Sequence, residues 1–167
     1  EVSSIEGGMA HNTIVKCFDA EPGKDKMGII GAGNYTSSTV VPNLKKAGAK
    51  VKYIASAGGL SAKVLAKKMG AECATSDYRE ILKDPEVALA IITTRHNMHS
   101  SMTIEALKAG KTVMVEKPLC LKEEELDEII AAYGSAPKGT TLTVGFNRRF
   151  APLAVKLKQL AGNGPKN

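Results

Sequence analysis

The sequence is poor in aromatic residues and contains no long hydrophobic stretch. Aromatic residues make up 4% of the 167 positions and tryptophan is absent, so a groove that stacks nucleotide bases on aromatic side chains is not expected. The net charge of +6 comes from scattered lysines, which we interpret as solvated helix faces. No segment approaches the ~20 apolar residues needed to span a bilayer. The sequence therefore predicts neither nucleic acid nor membrane as a partner.

Cysteine is scarce as well. The three cysteines, Cys17, Cys73 and Cys120, are far apart and form no C-x-x-C pair, which predicts reduced thiols in a cytoplasmic protein rather than disulfides. The spacing of His96 and His99 suits metal ligation, but no third acidic or cysteine ligand lies near them in the sequence. We therefore predict no metal site.

Apolar runs alternate with amphipathic segments from Met27 onwards. The runs are rich in β-branched residues and do not alternate with polar ones, which indicates strands buried on both faces of a parallel sheet. Strands are predicted over 27–30, 51–55, 87–92, 112–115 and 141–144, with an edge-like strand at 73–75 and a possible short one at 13–17. Helices are predicted over 61–70, 77–84, 100–110 and 121–134. This order predicts an α/β fold: one domain with a doubly wound, mostly parallel Rossmann sheet in three αβα layers.

Details of three helices follow from their apolar and breaker residues. The segment 61–70 places Val64, Leu65 and Met69 on one face, which we expect to be buried. The segment 121–134 is expected to close at Gly134. Pro42 cannot donate a hydrogen bond inside a helix, so we expect a short turn over 34–39 and a kink or a restart with Pro42 early in the next segment.

The stretch MGIIGAGNYTSS (27–38) follows a predicted strand and opens a helical segment. Gly31 permits a tight turn, and Gly33 lets backbone amides approach phosphate oxygens because no Cβ intervenes. Thr36 stands where a third glycine usually allows close packing of helix on strand. In this context the pattern predicts a dinucleotide phosphate cradle, and the alternative is a tight turn without a ligand.

The second predicted strand ends at IASAGG, with Ser56 where NAD-selective sites usually carry a carboxylate. Residues 26–71 contain no carboxylate and eight lysines. A carboxylate would repel the 2′-phosphate of NADP, whereas Ser56, the amides of Gly58 and Gly59, and Lys63 could hold it. This favours NADP over NAD. The alternative is that Ser56 only caps the following turn and either cofactor binds.

Three separated motifs, GAGNY, ITTRHNMHSSMTIEALKAGKTVMVEKP and VGFNRRF, resemble the N-terminal half of Gfo/Idh/MocA-type oxidoreductases (glucose–fructose oxidoreductase and inositol dehydrogenase). The resemblance covers roughly 26–160. ASAGGLSA and GFNRRFAP are most similar to the version fused behind a zinc-type alcohol dehydrogenase module. The implied organisation is a linker or remnant of a preceding module (1–24), a dinucleotide-binding domain (25–150) and the start of a connection to a substrate domain (151–167).

The resemblance also implies roles for individual residues. The residues expected to line the pyrophosphate are Gly31, Gly33, Asn34 and Tyr35. The residues expected to lie under the nicotinamide ribose and the adenine-side linker are Thr93, Thr94 and His96. His99 would shape the same region, and Arg148 or Arg149 would contact the nicotinamide or the domain boundary. Glu116 and Lys117 would end a strand beside the nicotinamide, with Lys117 as the catalytic group that exchanges a proton with the substrate hydroxyl. The Lys117–Pro118 bond is expected to be cis, and Arg95 departs from the Pro or Asn common at its position.

The implied activity is hydride transfer between NADP or NAD and a hydroxyl or carbonyl carbon of a sugar- or cyclitol-like substrate. We expect this chain by itself to turn over little, because half of the cleft that excludes water and orients the substrate would come from the other domain. Exposed apolar surface would then allow self-association as a homo-oligomer. The alternative is a non-catalytic nucleotide-binding module with a regulatory or redox-sensing role.

Overall fold

The computed structural model of the chain describes residues 14–162. Its contacts divide the chain into two compact units, Glu1–Thr94 and Arg95–Asn167. Within the described residues, seven strands alternate with helices, and the strand pairs are parallel except at one edge. The α/β Rossmann-like class predicted from the sequence is confirmed. Among residues 14–162, no helix combines the length and apolar character needed to cross a bilayer.

The first unit is a five-stranded sheet in the order β1-β4-β3-β2-β5. Its elements are β1 (Ile14–Lys16), β2 (Lys26–Ile30), α1 (Val41–Lys46), β3 (Val51–Ala55), α2 (Leu60–Met69), β4 (Cys73–Thr75), α3 (Arg79–Lys83) and β5 (Val87–Ile92). The chain moves outward from β2 to β4 and then returns to the far side of β2. Because crossovers are right-handed, α1 and α2 cover one face and α3 the other. This is the doubly wound arrangement.

The second unit contains a parallel pair of strands with helices against it. Its elements are α4 (His99–Lys108), β6 (Thr112–Glu116), α5 (Glu123–Ser135), β7 (Leu142–Gly145), a 3-10 turn (Asn147–Phe150) and α6 (Pro152–Ala161). Strands β6 and β7 pair in register from Val113 with Leu142 to Glu116 with Gly145. Helix α4 packs on both β6 and α5, and Leu107, Val115 and Ile129 are almost fully buried there.

Three expectations about element boundaries and faces are wrong. Strand β4 is not an edge, because β1 pairs antiparallel with its outer side while β3 pairs with the inner side. Val64 is 63% exposed although Leu65 and Met69 are buried as expected. Helix α5 runs through Gly134 to Ser135, and Pro137 follows two residues later. By contrast, the possible short strand expected over 13–17 is confirmed as β1 (Ile14–Lys16). Residues 1–13 of the predicted linker lie outside the described residues.

The restart expected at Pro42 does not occur. Asn34 and Tyr35 are helical, a π-helical turn spans Thr36–Val40, and α1 follows directly at Val41 with Pro42 in its first turn. Val40 and Val41 both have right-handed helical angles, so the helical backbone runs over 34–46 without a break. The N–H that Pro42 lacks is accommodated by the wider turn before it and not by a new helix start.

Charged side chains form a network in the first unit, at the starts of β2 and β3. The Nζ of Lys26 lies 2.8 Å from Glu72 and 3.2 Å from Glu86, and the Nζ of Lys52 lies 2.6 Å from both Asp84 and Glu86. Hydrogen bonds from Lys52, from the Gly23 amide and from Lys26 lower the pKa of Glu86 to about 2. Lys26 and Lys52 are thus neutralised by carboxylates that follow residue 71.

Candidate functional site

The glycine turn joins three neighbouring strands of the first unit at their carboxyl ends. The Gly31 amide donates to the Ala55 carbonyl over 2.9 Å, and the Thr93 amide donates to the Ile30 carbonyl over 2.8 Å. Gly31 has φ +116°, and a Cβ built on it would lie 2.8 Å from the backbone and hydroxyl of Thr93. Only glycine fits this position, both for its backbone angle and for the contact with Thr93.

The residues after Gly31 leave open space above the turn. A Cβ built on Gly33 meets no atom within 4 Å, so the glycine there is not required by packing within the chain. Asn34 and Tyr35 are exposed and begin the helical segment. Backbone amides at the start of a helix, reached without a Cβ in the way, are the donors that a diphosphate requires. The turn therefore fits the pyrophosphate of a dinucleotide.

Thr36 has a specific partner in place of the expected third glycine. It is fully buried, and its Oγ1 lies 2.8 Å from the Oγ1 of Thr93. The Thr93 hydroxyl is also 3.2 Å from the Gly31 carbonyl and 3.3 Å from the Ile30 carbonyl. This hydroxyl pair connects the end of β2, the end of β5 and the helical turn. Sequence reasoning named both threonines but not the bond between them.

Removing one member of the pair should destabilise the turn. Thr93→Val leaves the buried Thr36 hydroxyl without its partner, so we expect a loss of about 1–3 kcal/mol in the free energy of unfolding. Thr36→Val together with Thr93→Val should cost less than the sum of the single changes, because neither polar group is then left unpaired. Urea denaturation measures both, with the exposed Thr39→Val as the matched control. If the loss in the free energy of unfolding of the double variant equals the sum of the two single losses, a direct hydrogen bond between the two hydroxyls is contradicted.

Ser56 follows β3 and borders an open glycine loop. Its amide donates to the Thr75 carbonyl over 3.1 Å, and its Oγ lies 2.8 Å from the Oγ of Ser61. Gly58 and Gly59 have no atom within 4 Å of a built Cβ, and Gly59 has φ +67°. The Gly59 amide donates to the Ser56 carbonyl over 2.8 Å, so the expectation that this amide holds a phosphate is wrong. Lys63, one turn into α2, is exposed. The loop thus combines the hydroxyls of Ser56 and Ser61 with a nearby lysine. Residues 26–71 contribute no carboxylate to it.

Several of the eight lysines in residues 26–71 pair with carboxylates and not with the predicted phosphate sites. Lys26 and Lys52 belong to the charged network described above, and Lys50 lies 3.3 Å from Asp25. The Nζ of Lys68 donates to the Ser37 carbonyl over 3.1 Å, beside the glycine turn. Positive charge near the predicted phosphate sites is therefore supplied by fewer lysines than the sequence count suggests.

In the second unit, Lys117 follows the last residue of β6 and is exposed. The Lys117–Pro118 bond is cis, as the resemblance implied. His99, the first residue of α4, is fully buried, and its Nδ1 lies 2.7 Å from the Pro118 carbonyl. A carbonyl oxygen only accepts, so Nδ1 carries the proton and donates it. His99 therefore holds the turn that presents Lys117, a role that the sequence did not reveal.

The other predicted residues of this unit occupy its surface. His96 is exposed in a 3-10 turn and meets the His99 ring edge-on, with centroids 5.6 Å apart. The Glu116 carboxylate lies against Gly145, where a Cβ would come within 2.7 Å of its Oε1. Arg148 is exposed in the 3-10 turn after β7. His99 thus contacts both the His96 ring and the turn that carries Lys117. The Glu116 carboxylate packs against Gly145 of β7.

The predicted residues of the first unit also form one group. Gly31, Ser56 and Thr93 stand at the carboxyl ends of β2, β3 and β5, and these are adjacent strands. Gly33, Asn34 and Tyr35 continue from Gly31, and the half-buried Thr94 continues from Thr93. Open α/β sheets bind their ligands beyond the carboxyl ends of the strands, at the point where the order of the strands in the sheet reverses. Among the described residues, no three histidine, cysteine or acidic side chains are grouped to hold a metal ion.

Such a turn, on a doubly wound parallel sheet, defines a dinucleotide-binding Rossmann protein. Residues 26–146 match the model of the Gfo/Idh/MocA family, described as an oxidoreductase family with an NAD-binding Rossmann fold. The chain belongs to this family. The expectation drawn from the three motifs is therefore confirmed at the level of family and fold.

Several known proteins are similar to this chain. Myo-inositol 2-dehydrogenase of Thermotoga maritima is 33% identical over 83% of the chain and 41% of its own length. The structure of levoglucosan dehydrogenase with NADH and levoglucosan is 29% identical, with a TM-score of 0.71 over 81% of this chain and 38% of that one. A 3-ketoreductase from Actinomadura kijaniata with NADP is 23% identical, with a TM-score of 0.73 over 81% of this chain and 43% of that one, and shows the fold alone. The chain spans about two fifths of the length of these proteins.

Proposed function

We propose that this chain binds a nicotinamide dinucleotide and forms the cofactor-binding part of an oxidoreductase acting on a sugar- or cyclitol-like substrate. The observation that carries the proposal is the glycine turn at the end of β2, held by Gly31 and Thr93 and open above Gly33. The cofactor, when bound, supplies the hydride acceptor or donor. The chain's own residues bind its phosphates and handle the proton of the substrate hydroxyl.

NADP is the proposed preference. Ser56, Gly58 and Gly59 form an open loop after β3, and residues 26–71 supply no carboxylate to repel a 2′-phosphate. Lys63 lies one turn into the helix that follows. The hydroxyls of Ser56 and Ser61, which lie 2.8 Å apart, would turn towards the phosphate and donate to it. Similar proteins bind either form, NADH in levoglucosan dehydrogenase and NADP in the 3-ketoreductase.

Lys117 is the proposed proton-transferring residue. It is exposed directly after β6, and the His99–Pro118 hydrogen bond fixes the turn that carries it. An ammonium beside a substrate hydroxyl can polarise it and exchange its proton as the carbon is oxidised. Glu116, His96 and Arg148 are proposed to line the nicotinamide side of the site. The inositol and levoglucosan dehydrogenases that resemble this chain support a polyol or sugar substrate.

The remaining parts of the cleft are proposed to lie outside this chain. The chain covers 41% of the length of the Thermotoga inositol dehydrogenase, which supports a separate substrate-binding part joined after residue 150. The fusion to a zinc-type alcohol dehydrogenase module, with 1–24 as its linker or remnant, stays a prediction from the motif resemblance. Sequencing the complete transcript tests both statements.

Calorimetric titration of NADP and NAD into this chain tests the nucleotide proposal. We expect NADP to bind at least about tenfold more tightly than NAD, which corresponds to about 1.4 kcal/mol. Ser56→Asp should weaken NADP by at least about tenfold and change NAD by less than about threefold, because the new carboxylate faces the 2′-phosphate. Ser135→Asp adds the same charge at the end of α5 and serves as control. Binding of neither nucleotide would overturn the proposal.

A further inference from the structure

The helical turn after the glycines is wider than an α-helical turn. The Val41 amide donates to the carbonyl of Thr36, five residues earlier, which is the π-helical pattern. Thr36 is fully buried and Val41 is 1% exposed, whereas Thr39 and Val40 between them are not buried. In an α-helix, residues three or four apart share a face. The wider turn therefore lets Thr36 reach Thr93 while Val41 packs in the core.

Pro42 cannot continue the π-helical pattern. Its next bond would run from the N–H of residue 42 to the carbonyl of Ser37, and proline has no N–H. Lys68 of α2 supplies a donor to this carbonyl, because its Nζ lies 3.1 Å from the Ser37 oxygen. A side chain of the neighbouring helix thus takes the place of a backbone amide.

A second lysine bond joins the same two helical segments. The Nζ of Lys45 on α1 donates to the Lys68 carbonyl over 3.2 Å. Helix α2 begins at Leu60 and contains Ser61, whose hydroxyl lies 2.8 Å from that of Ser56. Helix α2 therefore connects the segment after the glycine turn with the open loop after β3.

We infer that Lys68 is a positioning residue for nucleotide binding, which holds the π-helical turn in the shape that aims the amides of the glycine turn at the diphosphate. The inference rests on the proposed function, since that function places the diphosphate at this turn. Lys68 acts through Ser37, whose amide donates to the Gly33 carbonyl over 3.0 Å. A change in the hydrogen bonding of Ser37 is thereby passed to Gly33.

Calorimetric titration of NADP and NAD into variants of the chain tests this role. For the nucleotide that binds more tightly, Lys68→Met should raise the dissociation constant by about fivefold, which corresponds to the net contribution of one hydrogen bond, about 1 kcal/mol. The control is Lys67→Met, which removes the same charge from the neighbouring exposed position of α2 and should have less than about a twofold effect. Lys68→Arg keeps a donor and should bind within about twofold of the unchanged chain.

Pro42→Ala supplies the missing backbone donor and separates positioning from a general loss of stability. With an N–H at position 42 the Ser37 carbonyl no longer depends on Lys68, so Lys68→Met in this background should change the dissociation constant by less than about twofold. Circular dichroism and urea denaturation check that each variant is folded.

Two results would overturn the inference while leaving the proposed function in place. One is a Lys68→Met chain that binds nucleotide as tightly as Lys67→Met. The other is a Lys68→Met effect of equal size with and without Pro42. Absence of nucleotide binding by the unchanged chain would overturn the proposed function and this inference together.

Discussion

Gly31→Ala is expected to lower the free energy of unfolding by about 2–6 kcal/mol. Two costs add at this position: the strain of a side chain at φ +116°, about 1–3 kcal/mol, and overlap with Thr93, about 1–3 kcal/mol. The overlap involves the carbonyl carbon and oxygen of Thr93 as well as its hydroxyl, all 2.8 Å from the added Cβ. The backbone of Thr93, which directly follows β5 and donates to the Ile30 carbonyl, cannot turn aside as a flexible side chain can, so the turn itself must shift.

Gly33 provides the matched comparison, because it lies two residues away and has open space around it. Gly33→Val should change the free energy of unfolding by less than about 1 kcal/mol. It should nevertheless weaken nucleotide binding by at least about 30-fold, about 2 kcal/mol, since its side chain would fill the approach to the backbone amides. Urea denaturation and calorimetric titration separate the two effects. If Gly33→Val leaves the nucleotide dissociation constant unchanged, the diphosphate does not bind at this turn.

The central strands β2, β3 and β5 could be predicted from the sequence because they are buried along most of their length. Runs such as 87–92 contain only apolar residues, and the structure gives β5 the same bounds. Val64 shows where this reasoning stops. Periodicity indicates that part of a helix is buried, but the neighbours that cover it decide which residues at the border of that face are included. In α2 the buried face includes Leu65 and Met69 and leaves Val64 in solvent.

The residues of the candidate site could be located individually, but their contacts could not. Gly31 was predicted from its place after β2, whereas the contact that requires glycine comes from Thr93, 62 residues later. The Thr36–Thr93 bond spans 57 residues and the His99–Pro118 bond spans 19. Such pairs depend on which strands become neighbours, and a single sequence does not state the strand order. Thr36 therefore looked like a tolerated replacement for glycine, whereas the structure gives it a partner.

Lys117→Met is expected to lower kcat by about 10²–10⁴-fold in the enzyme that contains this chain, the range typical of a lost general acid or base. Methionine keeps a similar volume and removes the ammonium. Because Lys117 is exposed and His99 holds the adjacent carbonyl, the turn should keep its shape. The nucleotide dissociation constant of the chain should accordingly change by less than about threefold, a limit set by the weak effect of one exposed charge.

The assay follows oxidation of a polyol through the reduction of NADP or NAD. Lys122→Met, which removes an exposed lysine five residues away at the start of α5, should leave kcat unchanged. Lys117→Arg should restore little activity, because a guanidinium stays protonated and cannot return a proton to the hydroxyl. Added methylamine should restore part of the kcat of Lys117→Ala, because the shortened side chain leaves space for a small amine that can exchange the proton. A Lys117→Met enzyme with unchanged kcat would contradict proton transfer by this lysine, and nucleotide binding without turnover would favour the non-catalytic, regulatory alternative.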